Sequence, residues 1–112
     1  AAEKSYSEAI KIDPRHYRAL WGLGNIAQKQ EKYQDAMTHY ERAIAVNQYS
    51  PMCYLYFGST LLSMNRPEDS LAACSKAESL DPRSKLIMYQ KSHALLRLSR
   101  DEEALSLLRK LA

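Results

Sequence analysis

Three glycines and four prolines in 112 residues leave little material for the tight turns of a many-stranded β fold. No apolar run approaches the roughly 20 residues needed to cross a bilayer as a helix. Residues 1–11 carry no apolar core of a secretory signal, and the chain does not open on Met. Two cysteines, Cys53 and Cys74, are too few for a disulfide framework or a zinc site, so a reducing, intracellular compartment is the simplest expectation. A basic block is also missing. The 16 Lys and Arg are interleaved with 13 Asp and Glu for a net charge of +3, and the longest basic runs are pairs such as Arg109–Lys110. A nucleic-acid surface usually needs a concentrated patch, so these charges read as solvated helix faces.

What is present is a period. Pro14, Gln48 and Pro82 are spaced 34 apart, inside the similar segments Ile12-Asp13-Pro14-Arg15, Val46-Asn47-Gln48-Tyr49 and Leu80-Asp81-Pro82-Arg83. The same shift aligns Gly24 with Gly58 and Ser92, and Ala2 with Ala36, Ser70 and Ala104. It aligns Tyr6 with Tyr40, Cys74 and Leu108, and Ala9 with Ala43, Ala77 and Leu111. Small residues recur where two helix backbones must approach. Large ones such as Leu20, Leu23, Tyr40, Tyr54, Phe57 and Leu61 fill the gaps at helical spacing.

Breakers and caps fall between the periodic stretches. Proline ends one helix before the next begins. Ser50-Pro51 reads as an N-cap followed by proline at the first helical position. Asp101, Glu102 and Glu103 open a last helix that Arg109 and Lys110 close, complementing its dipole. The pattern predicts helices at about 1–12, 17–30, 33–46, 51–64, 67–80, 85–98 and 101–111.

This register resembles the tetratricopeptide repeat, a helix–turn–helix unit of 34 residues. The resemblance implies an all-α superhelix of antiparallel hairpins. Its expected divisions are the second helix of a preceding repeat at 1–16, repeats at 17–50 and 51–84, and a truncated repeat at 85–112. The odd helix count leads us to expect a slice of a longer array. The apolar Leu105, Leu107, Leu108 and Leu111 add an expectation of self-association through terminal helices.

Catalytic motifs are not found. Gly22-Leu23-Gly24 lacks the third glycine of a nucleotide loop and lies within a helix. His16, His39 and His93 fall in a turn and on two different helices, without zinc-pair spacing, and His39 is expected to face solvent. Cys74 takes the aromatic core position of its repeat and reads as a small buried hydrophobe. We expect no enzyme activity, no cofactor and no metal.

In the tetratricopeptide family the second, fifth, sixth and ninth positions of each repeat face a concave groove. Carried over, the resemblance implies groove residues Arg18, Trp21, Gly22 and Asn25, then Met52, Leu55, Tyr56 and Ser59, then Leu86, Tyr89, Gln90 and His93. An aromatic-rich lining suits a protein or peptide ligand, while Trp21 and Tyr89 could equally pack on neighbouring helices. The carboxylate clamp of co-chaperone repeats is matched only at Asn25; Trp21, Tyr56, Leu86 and Gln90 depart from it.

Pro14-Arg15-His16-Tyr17, Trp21-Gly22-Leu23-Gly24, Lys29-Gln30-Glu31-Lys32-Tyr33, Ala36 and His39-Tyr40 together resemble the tetratricopeptide subunits of the anaphase-promoting complex (cyclosome). That resemblance implies a non-catalytic scaffold in a mitotic ubiquitin ligase of the nucleus and cytoplasm. Its implied partners are the C-terminal Ile-Arg tails of activators and neighbouring tetratricopeptide subunits. The groove positions contain no carboxylate for such an arginine, so its acidic partner is expected from a rim residue such as Glu31 or from repeats outside this sequence. Other readings are a generic adaptor or self-assembling spacer of another complex, and the regulatory arm of a larger enzyme, such as a glycosyltransferase.

Overall fold

The computed structural model describes residues 2–111. Seven helices follow one another: α1 (Ala2–Ile12), α2 (Tyr17–Lys29), α3 (Tyr33–Val46), α4 (Pro51–Ser63), α5 (Pro67–Leu80), α6 (Lys85–Arg97) and α7 (Asp101–Leu111). There is no strand among the described residues. Each helix packs on the next in sequence, and α4 also touches α2 and α6. The result is an elongated stack of 47 × 25 × 22 Å.

The core repeats as the sequence does. Gly24, Gly58 and Ser92 are buried where α2, α4 and α6 meet their partners, and so are Ala36, Ser70 and Ala104 on the facing helices. Small size lets the backbones close up: the Ser70 hydroxyl donates to the Gly58 carbonyl at 2.7 Å. Tyr40 fills the space this leaves between α2 and α3, while Cys74 does so with far less volume between α4 and α5. A third buried set, Ala19, Cys53 and Ile87, was not singled out from the sequence, although the same spacing connects its members.

Helix ends have local causes. The His16 imidazole Nδ1 accepts from the Ala19 amide at 3.2 Å, and the Ser84 hydroxyl accepts from the Ile87 amide at 3.3 Å. Ser50 holds the cap position before Pro51, but its side chain makes no capping bond.

The tight turns after α2, α4 and α6 share one geometry. The amides of Lys32, Arg66 and Arg100 reach back to the carbonyls of Ala27, Leu61 and Leu95 at 2.8, 2.9 and 2.9 Å. This six-to-one closure requires a left-handed residue just before the donor. Glu31, Asn65 and Ser99 fill that place, each at φ 60°, and none is glycine. A left-handed conformation costs a side-chain-bearing residue about 1–2 kcal/mol, less for asparagine. Glu31→Gly and Ser99→Gly should therefore each raise stability by about 0.5–1 kcal/mol after glycine's own entropy cost. Asn65→Gly should gain least. Urea unfolding of the three variants checks the order, and loss of stability in Glu31→Gly would refute it.

Candidate peptide-binding groove

Residues Arg18, Trp21, Asn25 and Lys29 lie three or four apart along α2 and so form one stripe. Arg18 and Lys29 mark its ends and are exposed. Trp21 is half-buried and stacks on Tyr56 of α4, with ring centroids 5.5 Å apart and planes 19° from parallel. Tyr40 lies beneath, stacked on Tyr56 at 6.4 Å. Three aromatic rings from α2, α3 and α4 thus tie two successive hairpins together under the stripe.

A polar network fixes the side chains above this stack. The Tyr40 hydroxyl donates to Asn25 Oδ1 and lies 3.1 Å from Gln28 Oε1. Thr60, fully buried on α4, places its hydroxyl 2.9 Å from the same Gln28 oxygen. Gln28 Nε2 donates to Ser59 Oγ at 3.1 Å. Burial drives the Tyr40 phenol far above its ordinary pKa, an effect the Thr60 hydrogen bond partly offsets. The phenol stays protonated and available as a donor. Two hollows open above the network. One of about 440 Å³ is lined by Asn25, Gln28, Lys29, Tyr56 and Ser59. The other, of about 470 Å³, is lined by Tyr6, Arg18, Trp21, Asn25 and Lys29 among others.

The structure sorts the groove expectations. Arg18, Trp21, Asn25, Tyr56 and Ser59 come together around these hollows. Gly22 is buried but also lines the second hollow, and a Cβ there would meet the Tyr6 ring at 2.6 Å. Leu55 is also corrected from groove to core, being 4% exposed and packed with Ala77 and Ile87. Its helix is clasped by α5 and α6 on that side. Met52 partly joins the same cluster. On α6, Leu86 and Tyr89 are half exposed and Gln90 less so, and Tyr89 sets its edge on exposed His93 with centroids 4.5 Å apart. This second group stands apart from the hollows around α2.

Sequence reasoning missed Gln28 and Thr60. A signal existed: Thr60 stands where the register has Ile26 and Ala94, a polar residue in an apolar row. His39 is corrected as well. It is only partly exposed, because α3 is packed on both sides by α2 and α4. Its Nδ1 is buried without a hydrogen-bond partner among the described residues. Burial first, then Arg42, lowers its pKa. Cys74 is fully buried, and burial pushes its thiol up to about 11. Burial raises the Cys53 thiol too, so neither sulfur is poised for attack at neutral pH. No helix among the described residues is long and apolar enough to cross a membrane.

Antiparallel helix pairs with a 34-residue register, stacked around an open inner face, define a tetratricopeptide-repeat protein. A tetratricopeptide-repeat model matches residues 1–51, and a model described as anaphase-promoting complex, cyclosome, subunit 3 matches residues 29–111. The chain belongs to that subunit 3 family. It is 38% identical over 81 residues to cell division cycle protein 27 homolog B of Arabidopsis thaliana, covering 72% of this chain and 11% of that protein. It is 27% identical over 104 residues to anaphase-promoting complex subunit 3 of Schizosaccharomyces pombe, covering 93% of this chain and 16% of that protein. The chain thus spans between 11% and 16% of the length of these relatives. In fold it is similar to MamA, with a TM-score of 0.88 at 18% identity over 96% of this chain and 63% of that one. The sequence resemblance rests on residues 14–40, whereas the family match runs on through α4 to α7.

Proposed function

We propose that this chain is part of a non-catalytic scaffold of the anaphase-promoting complex type, acting in cell division in the nucleus and cytoplasm. Its inner face docks peptide tails of partner proteins, with activator Ile-Arg tails as the first candidates, and its flanks stack on neighbouring tetratricopeptide subunits. The working units are repeats at 17–50 and 51–84, flanked by half of one and most of another. Family membership supports the scaffold role. The observation that carries docking is the Trp21–Tyr56 pair beneath two open hollows, held by a polar network whose outer groups, Asn25 and Ser59, remain accessible. Partly exposed aromatic anchors of this kind dominate peptide interfaces.

The test is a fluorescence anisotropy titration of the chain with a labelled peptide ending in Ile-Arg. Saturable binding is expected, weakened at least tenfold by Trp21→Ala, about 1.4 kcal/mol, with the circular dichroism spectrum unchanged. Binding that survives Trp21→Ala would place docking elsewhere. Trp21 is the sole tryptophan, so its emission reports the same event directly.

A further inference from the structure

Four polar side chains of the inner face can donate to a ligand. Asn25 Oδ1 is occupied by the Tyr40 hydroxyl, which leaves the amide N–H groups of Asn25, a residue lining both hollows, to donate. Ser59 Oγ already accepts from Gln28, which leaves the Ser59 O–H to give. Arg18 and Lys29 are cations with donors only. Among the described residues neither is in an ion pair; the Arg18 guanidinium has only the Tyr17 hydroxyl, 3.4 Å away. Among the described residues no aspartate or glutamate lines either hollow. Such a surface suits a ligand rich in acceptors.

We infer that the α2–α4 inner face receives an extended acidic peptide segment, with two carboxylates flanking one apolar side chain. The inference rests on the reading of this face as the docking surface and departs from the Ile-Arg tail as its ligand, because a tail guanidinium would face Arg18 and Lys29 with no carboxylate to receive it. The spacing follows from the helix. Arg18 and Lys29 are eleven residues apart, about 16 Å at the rise of an α-helix, and within 20° or so of the same face. In an extended peptide, residues i, i+2 and i+4 point to one side, and i to i+4 spans about 13 Å. The long Arg, Lys and Glu side chains take up the difference. A Glu-x-Leu-x-Glu segment therefore sets one carboxylate on Arg18 and the other on Lys29. Its leucine lies against the Trp21–Tyr56 pair, and its backbone carbonyls accept from Asn25 and Ser59.

Single-stranded nucleic acid also offers acceptors, but it binds by stacking bases on free aromatic faces. Here Trp21 and Tyr56 turn faces toward each other, and Tyr56 is backed by Tyr40. The aromatic surface favours an aliphatic side chain over a base.

The experiment uses the 112-residue chain and labelled peptides containing Glu-Ser-Leu-Ser-Glu, Gln-Ser-Leu-Ser-Gln or Lys-Ser-Leu-Ser-Lys, with an Ile-Arg tail and oligo(dT) in parallel arms. The glutamate peptide should bind at least tenfold tighter than the glutamine peptide at about 0.1 M salt. The gap should shrink at about 1 M salt, where the screening length falls to roughly 3 Å. In the double variant Arg18→Gln, Lys29→Gln, with circular dichroism unchanged, the two peptides should bind equally. Equal binding of glutamate and glutamine peptides to the parent chain overturns the acidic preference and leaves the docking surface standing. Tighter binding of the lysine peptide or of oligo(dT) overturns it too. If the acidic peptide fails while the Ile-Arg tail binds, the ligand class is wrong; if every ligand fails, the docking reading falls with it.

Discussion

Replacing Tyr40 with alanine should cost about 3–5 kcal/mol, the range for emptying a buried aromatic site. Tyr40 is the largest fully buried side chain, at 0% exposure, and sits between α2 and α3 against Ala27, Ala36 and Tyr56. Natural domains keep only about 5–15 kcal/mol in total, so this chain should lose much of its cooperative unfolding. Tyr40→Phe separates packing from hydrogen bonding. The ring stays, but the hydroxyl that Asn25 accepts from is gone. An expected loss of about 1–2 kcal/mol follows from leaving partly buried amide groups unpaired. Urea unfolding followed at 222 nm measures both variants. A Tyr40→Ala loss below about 1 kcal/mol would mean that α2 and α3 are not held by this ring. Tyr40→Phe should also loosen Asn25 and weaken peptide binding without changing helix content.

The second large effect comes from Gly24, judged against the other two glycines. Alanine is favoured over glycine by up to about 1 kcal/mol in a helix interior, so each Gly→Ala change starts with a gain. At Gly24 the new Cβ would lie 2.6 Å from the Tyr40 ring, which is enclosed and cannot swing away. The overpacking cost of about 1–3 kcal/mol should outweigh the gain. At Gly22 the clash is with the far end of the Tyr6 ring on α1, a helix with no buried residue, so the ring can move aside. At Gly58 the nearest atoms are Cys74 Sγ at 3.2 Å and the Ser70 carbonyl at 3.3 Å, a tight but tolerable fit. The expected order of thermal stability is therefore Gly24→Ala lowest, with Gly22→Ala and Gly58→Ala close to the parent. Equal melting of all three variants would contradict the role given to the Tyr40–Gly24 contact.

The helices were legible from sequence to within about a residue, because each unit repeats its own stop signals and small residues at fixed offsets. The site was legible in part. The family resemblance implies which side of α2 and α4 faces inward, and Arg18, Trp21, Asn25, Tyr56 and Ser59 do gather around the two hollows. Register does not tell how closely the following hairpin covers a given turn. Leu55 and Tyr56 are adjacent in sequence, yet α5 and α6 bury the first and leave the second partly open. The network through Gln28 and Thr60 links residues 32 apart in sequence, and only the angle between stacked hairpins creates it. Ser50 shows the complementary limit: the cap position was right, yet its side chain makes no capping bond.

The contact pattern of the stack has a mechanical consequence. Along the inner face α2 touches α4, and α4 touches α6, but among the described residues α2 and α6 do not meet. The two junctions act in series, so their compliances add, as in a quasi-one-dimensional spring. Small tilts at each junction sum to a change in curvature while every hairpin stays rigid. A ligand confined to α2 and α4 loads one junction only. One that reaches on to Tyr89 would strain both, and its affinity would carry the bending energy of the whole stack.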